Sequence, residues 1–150
     1  SAASDVYKRQ ERLNMLATKH YLTQADVQKI LNAADQHAAK HNLAVTIAVC
    51  DEGGHMLGLI RRDGCAPLSA YIAQEKARTA AMGKRETRVY EEIINNGRHA
   101  FLSAPHVSGM LEGGVPIMKD GACIGAVGVS GVKSTEDAQI AKAGIAAIGL

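Results

Sequence analysis

Large aromatic side chains are nearly missing from this chain: its 150 residues include no tryptophan, one phenylalanine and four tyrosines. A core built without them has to rely on close approach of backbones and on small aliphatic side chains. Alanine-rich helix faces of that kind meet other helices, within the chain or in a partner, so a homo-oligomer is expected. The shortage also removes the stacked rings that single-stranded nucleic acid binding uses. A net charge of only +2 supplies no broad basic field, and neither nucleic acid nor a membrane surface is expected as a partner. Cysteine is scarce and odd in number: Cys50, Cys65 and Cys123 show no CxxC spacing and make no disulfide framework. Cys50 and Cys123 fall in apolar strand patterns, where free cysteine acts as a small hydrophobe, and this fits a reducing compartment. No apolar run approaches the ~20 residues of a membrane span. The charged-then-apolar order of a signal peptide is absent from the first residues. Cytoplasm is the default expectation, with a removed or missing leader left open. Residues 1–21 are mostly polar and begin without Met, and they read as an N-terminal extension, poorly ordered or a processing remnant. Residues 22–150 read as a single domain.

What is present is patterned. Thr23 with Asp26 three positions on is a capping-box variant. Val27, Ile30, Leu31, Ala34 and Ala38 follow at helical spacing, which predicts a helix to about His41. Residues 45–50 are rich in β-branched side chains, Gly53-Gly54 turns the chain, and residues 55–61 return as a second strand. The alanine-rich residues 69–82 predict a low-bulk helix closed by Gly83. Thr87 is expected to cap a short helix over 88–94, and residues 100–103 read as a short strand. Asp120-Gly121 separates apolar runs at 115–118 and 122–129, a hairpin signal because both central residues of a type I′ turn need positive φ. The last helix is expected from Ser134 or Thr135, with Glu136 and Asp137 suiting its positive end. Hairpins rather than long crossovers predict an α+β fold with an antiparallel sheet and helices packed on its faces.

Chemistry is less plainly written. His37 and His41 lie one helical turn apart, but Ala38 between them rules out HExxH. Asp51, Glu52 and His55 cluster at one turn, where Asp51 and His55 could serve as acid and base, although turns favour such residues in any case. His99 and His106 lie in the least regular stretch, and His106 follows Pro105. Between Arg61 and Arg88 the basic residues Arg61, Arg62, Lys76, Arg78, Lys84, Arg85 and Arg88 outnumber Asp63, Glu75 and Glu86. They are either a solvated helix surface or a rim for an anionic ligand. Gly113-Gly114 is either a bulge into a strand or one wall of a pocket beside His106. GAVGVSG is not GxGxxG, and no P-loop, zinc-deaminase or nucleophile-elbow motif occurs, so no nucleotide cofactor is expected.

Four segments, VTIAVCDEGGHMLGLIRRDG, SAYIAQEKARTAAMG, GGVPIMKDGACIGAVGVSG and EDAQIAKAGIAAIG, together resemble the GlcG/HbpS family, also called the haem-degrading domain family. The resemblance covers roughly residues 22–149. It implies a profilin-like α/β/α sandwich with an antiparallel sheet of about five strands. It further implies a homo-oligomeric haem- or tetrapyrrole-binding accessory protein that assists haem degradation. Where many members have a second glycine after VSG, this chain has Val132. Covalent attachment of haem is excluded by the lack of CxxCH. Under this reading His106 or His99 ligates the iron, Lys84, Arg85 or Arg88 meets the propionates, and Gly113 and Gly114 line the site. Two alternatives stay open. One is an enzyme or binding subunit for a small carboxylate or phosphate metabolite, since such domains look like companions of glycolate and diol utilisation proteins and are similar to the carboxy-terminal part of PduO-type corrinoid adenosyltransferases. The other is an oligomeric scaffold with no small ligand. Whether the chain is an enzyme stays open with them.

Overall fold

Thr23 opens the folded domain as its spacing predicts. Its hydroxyl accepts from Asp26 N at 3.2 Å while the Asp26 carboxylate accepts from Thr23 N at 2.9 Å, which satisfies two N–H groups the helix leaves unbonded. The computed structural model describes residues 1–150, the side chain of Asn14 excepted. Helix α1 spans Ala2–Asn14, and its described side chains are exposed. Leu22 is the first buried residue among those described. Helix α2 (Gln24–Lys40) is followed by strands β1 (Thr46–Cys50) and β2 (Met56–Arg61), helices α3 (Leu68–Gly83) and α4 (Thr87–Asn95), a 3-10 helix (His99–Ser103), strands β3 (Gly114–Lys119) and β4 (Ala122–Ser130), and helix α5 (Ser134–Ala146). No helix among the described residues is long and apolar enough to cross a membrane.

The sheet is antiparallel in the order β2-β1-β4-β3. It has four strands rather than about five. The expected strand at 100–103 is the 3-10 helix, because local bonds take up its backbone: Phe101 N donates to Arg98 O and Ala104 N to Phe101 O. Asp120 and Gly121 have φ of 50° and 80°, so the β3–β4 hairpin turns as its sequence predicts. The cap of α3 differs from expectation. Lys84, not a glycine, takes the left-handed position at φ 58°. Gly83 is needed for another reason, since a Cβ there would lie 1.8 Å from the Tyr90 hydroxyl. Thr87 is the first residue of α4 rather than its cap, and its hydroxyl is used elsewhere.

Two unequal layers cover the sheet. On one face α2 and α5 bury Ile30, Ile47, Val49, Ile117, Val127, Val129 and Ile140 in the larger core. The other face is covered by α3 through Ala73, Ala77, Ala80 and Ala81 against Ala48, Cys50 and Ala126. That layer is thin because α3 lies almost on the β4 backbone: a Cβ at Gly128 would stand 2.0 Å from Ala73 O and 2.5 Å from Ala77 N. Helix α3 packs on β1, β3 and β4, leaving β2 with α2 as its principal cover. Exposed Leu57 and Leu59 on β2 follow from this. Gly128→Ala is expected to lower stability by about 3 kcal/mol through overpacking, measured by urea denaturation.

Candidate functional site

A buried charge pair holds the inner side of α3. Lys76 and Asp137 side chains are each 3% exposed, with Nζ 3.2 Å from Oδ2. Lys76 Nζ also donates to Val129 O at 2.9 Å, and Val132 N donates to Asp137 Oδ1 at 3.3 Å. Burial pushes the Asp137 carboxyl up to about 6, against the pull of Lys76 and the Val132 N–H. Gly113 and Gly114 are both buried against this assembly. A Cβ at Gly113 would lie 2.7 Å from Lys76 Nζ, and one at Gly114 would lie 2.4 Å from Lys76 O. The Thr87 hydroxyl donates to Leu111 O and accepts from Gly114 N at 2.8 Å. The two glycines therefore admit Lys76 and Thr87 into close contact with the chain, and they face inward.

The outer side of α3 carries a second set of bonds. Glu75 accepts from Ser108 Oγ at 2.8 Å and pairs with Arg78, while Thr79 Oγ1 donates to Ser108 O at 2.6 Å. Burial raises the Glu75 carboxyl, but Ser108 and Arg78 outweigh it and hold the group below the usual range. These bonds fasten the loop carrying His106, whose φ is 62°, to the helix. On the opposite flank the β1–β2 turn rests on Arg78, with a Cβ at Gly54 placed 2.5 Å from Arg78 Cγ. Asp51 organises that turn. Its Oδ1 accepts from Gly53 N at 2.9 Å and His55 N at 3.0 Å, and His55 Nδ1 lies 3.1 Å from both carboxylate oxygens. Burial works to raise the Asp51 carboxyl, yet the N–H groups of His55 and Gly53 and the His55 ring together hold it below its ordinary value. The two residues read from the sequence as an acid and a base are thus in direct contact.

The expected cations gather near the C-terminal end of α3. Lys84 is exposed at the helix cap, and Arg85 stacks over the Tyr90 ring at 4.8 Å. Tyr90 lies 5.6 Å from Phe101, over which Arg98 stacks at 4.9 Å. Among the described residues, Lys84, Arg85 and Arg98 have no carboxylate at ion-pair distance, whereas Arg88 is paired with Glu92 at 2.6 Å. Two clefts flank the 3-10 helix. One of about 280 Å³ is lined by Arg98, Ala100, Phe101, Ser103, Ala104 and Pro105. The other, about 300 Å³, is lined by Glu91, Ile94, Asn95, Leu102, Gly109, Met110 and Leu111. His99 starts the 3-10 helix and is exposed, as is His106. The rings of His37 and His41 face one another at 4.5 Å, with no third His, Cys, Asp or Glu completing a metal cluster among the described residues.

Sequence reasoning passed over Lys76 as one cation in a basic run and credited Asp137 to the helix dipole. A lysine inside an otherwise alanine-lined helix face was the one available signal. Lys76→Met or Asp137→Asn alone is expected to cost about 3–5 kcal/mol, while Lys76→Met with Asp137→Leu recovers most of the loss, measured by denaturant unfolding. The pH dependence has a definite sign. A folded carboxyl held at about 6 stays protonated where the unfolded one has ionised, so its contribution is full below pH ~4 and lost as pH rises through ~6. The stability of the wild type relative to Asp137→Asn is accordingly expected to fall across that window, measured by thermal melts at stepped pH.

Comparison with known proteins bears on this site. The family model described as haem degrading protein HbpS-like matches residues 22–146. Protein GlcG of Escherichia coli strain K12 is 56% identical over 115 residues, 77% of this chain and 85% of that protein. The crystal structure of HbpS superposes with a TM-score of 0.82 at 31% identity, covering 90% of this chain and 95% of that one. The crystal structure of a PduOC–heme complex gives 0.78 at 27% identity, covering 85% and 95%. The family match spans the hairpins, α3 and the glycine pair described above, and the chain belongs to the HbpS-like family of haem-degrading proteins.

Proposed function

We propose that this chain is a haem- or tetrapyrrole-binding accessory protein that works as a homo-oligomer and assists haem breakdown. One observation carries the reading: two histidine-bearing segments, the β1–β2 turn and the loop of His106, are both fastened to α3, the first on Arg78 and the second through Glu75 and Thr79, and the same helix ends at Lys84 and Arg85, which have no acidic partner among the described residues. The residues present fit the group. Imidazoles are available for iron, Lys84 and Arg85 for propionates, and the exposed Leu57 and Leu59 of β2 for an apolar face of the macrocycle. Bound haem would supply the iron chemistry, and the chain's part is to hold it. His106 and His99 are candidate ligands. Arg88 is a lesser propionate partner because Glu92 already engages it. Gly113 and Gly114 contribute by fixing the segment behind the site. A neighbour solved as a heme complex supports the ligand class.

The Asp51–His55 contact favours a second reading, in which a small carboxylate or phosphate metabolite sits on the Lys84–Arg85 rim and His55 moves a proton. Hemin titration of the purified chain separates the two. The first reading expects a saturable Soret shift at about one haem per subunit, with affinity reduced about tenfold in Lys84→Gln/Arg85→Gln. Absence of saturation, together with thermal stabilisation by simple carboxylic acids, would replace it with the second.

A further inference from the structure

Resting on the haem reading, we infer that His55 is the residue whose imidazole ligates the iron. Its environment prepares it for that task. Asp51 Oδ1 already accepts two backbone N–H groups, from Gly53 at 2.9 Å and from His55 at 3.0 Å, so it faces the ring as an acceptor. His55 Nδ1, at 3.1 Å from both carboxylate oxygens, is placed to donate to it. That leaves the lone pair on Nε2, across the ring from Asp51, and the His55 side chain is 81% exposed. An imidazole whose second nitrogen donates to a carboxylate is fixed in orientation, as metal-bound histidines usually are. The turn is built around the same carboxylate: Asp51 also takes the N–H groups of Gly53 and His55, and Gly54 supplies φ 80° where the chain doubles back.

The other histidines lack this preparation or its surroundings. His20 Nε2 faces Asp120 Oδ2 at 3.6 Å. His41 is oriented by the His37 carbonyl, but it lies between Lys40 and Asn42 and against a second imidazole. No hydrogen bond orients the ring of His99 or His106 among the described residues. His55 also has the neighbour a porphyrin needs. It leads into β2, where Leu57 and Leu59 are 43% and 41% exposed. Leu59 shares the face of its cross-strand partner Ala48, which packs under α3, and α3 does not extend over it. Two exposed leucines on an edge strand, beside an outward Nε2, offer an apolar face next to the ligating nitrogen.

The test compares hemin-loaded wild type, His55→Ala, His106→Ala and His99→Ala by Soret and visible absorbance, with thermal melts to confirm folding. His55→Ala is expected to lose the histidine-ligated spectrum and to bind about tenfold or more weakly. Added imidazole restores the spectrum, while His106→Ala and His99→Ala match wild type. A His55→Ala protein that keeps the wild-type spectrum and affinity overturns the assignment and leaves the haem reading standing, as does loss of the spectrum in His106→Ala or His99→Ala instead. A wild type with no saturable shift overturns both.

Discussion

The ammonium of Lys76 is the point on which the two sides of this molecule meet. It leaves α3, reaches the end of β4 at Val129 O and closes on Asp137 of α5, so one charge ties α3 to residues 53 and 61 positions further along the chain. Removing two ions from water costs several kcal/mol each, and their attraction offsets this only when the remaining donors and acceptors are filled. Here Val129 O and the Val132 N–H do so, and no buried side-chain polar atom among the described residues is left without a partner. The pair contributes definition more than net stability. It sets where α3 sits over the sheet, and every outer contact of that helix inherits its position.

The thin packing of α3 follows from the same placement. An alanine face resting on Gly128 brings helix and strand backbones together, which leaves no room for large side chains and little tolerance for shift. Thr87 and the glycine pair extend the constraint to α4 and the start of β3. The outer loops are then attached to a fixed rail. Glu75 and Thr79 present short polar contacts to Ser108, and the aliphatic stem of Arg78 lies against the Gly54 turn.

Local rules read well from sequence here, and long-range ones did not. The Thr23 cap, the Asp120-Gly121 turn and the α2 stripe depend on neighbours within a few residues, so their chemistry is visible in the chain itself. The fold class was legible for that reason. One strand too many was expected because His99–Ser103 carries apolar residues without revealing that its backbone bonds to itself. Gly113-Gly114 was visible as a special place, but what fills the space it leaves is a lysine 37 residues earlier in the chain. At the candidate site the residues Asp51 and His55 were legible. Their mutual geometry was not, because turn chemistry alone accounts for the same letters.

The aromatic ladder of Arg85, Tyr90, Phe101 and Arg98 has an optical consequence. With no tryptophan in the chain, the near-ultraviolet signal of the apoprotein comes from tyrosine, with phenylalanine a weak addition. Tyr7, Tyr21 and Tyr71 are exposed at 67%, 69% and 73%, while Tyr90 is 7% exposed and held between a guanidinium and a second ring. Chirality in that band therefore reports chiefly on one chromophore, at the joint where α4 meets the 3-10 helix. The protein carries its own label for movement of the segment that leads to His106.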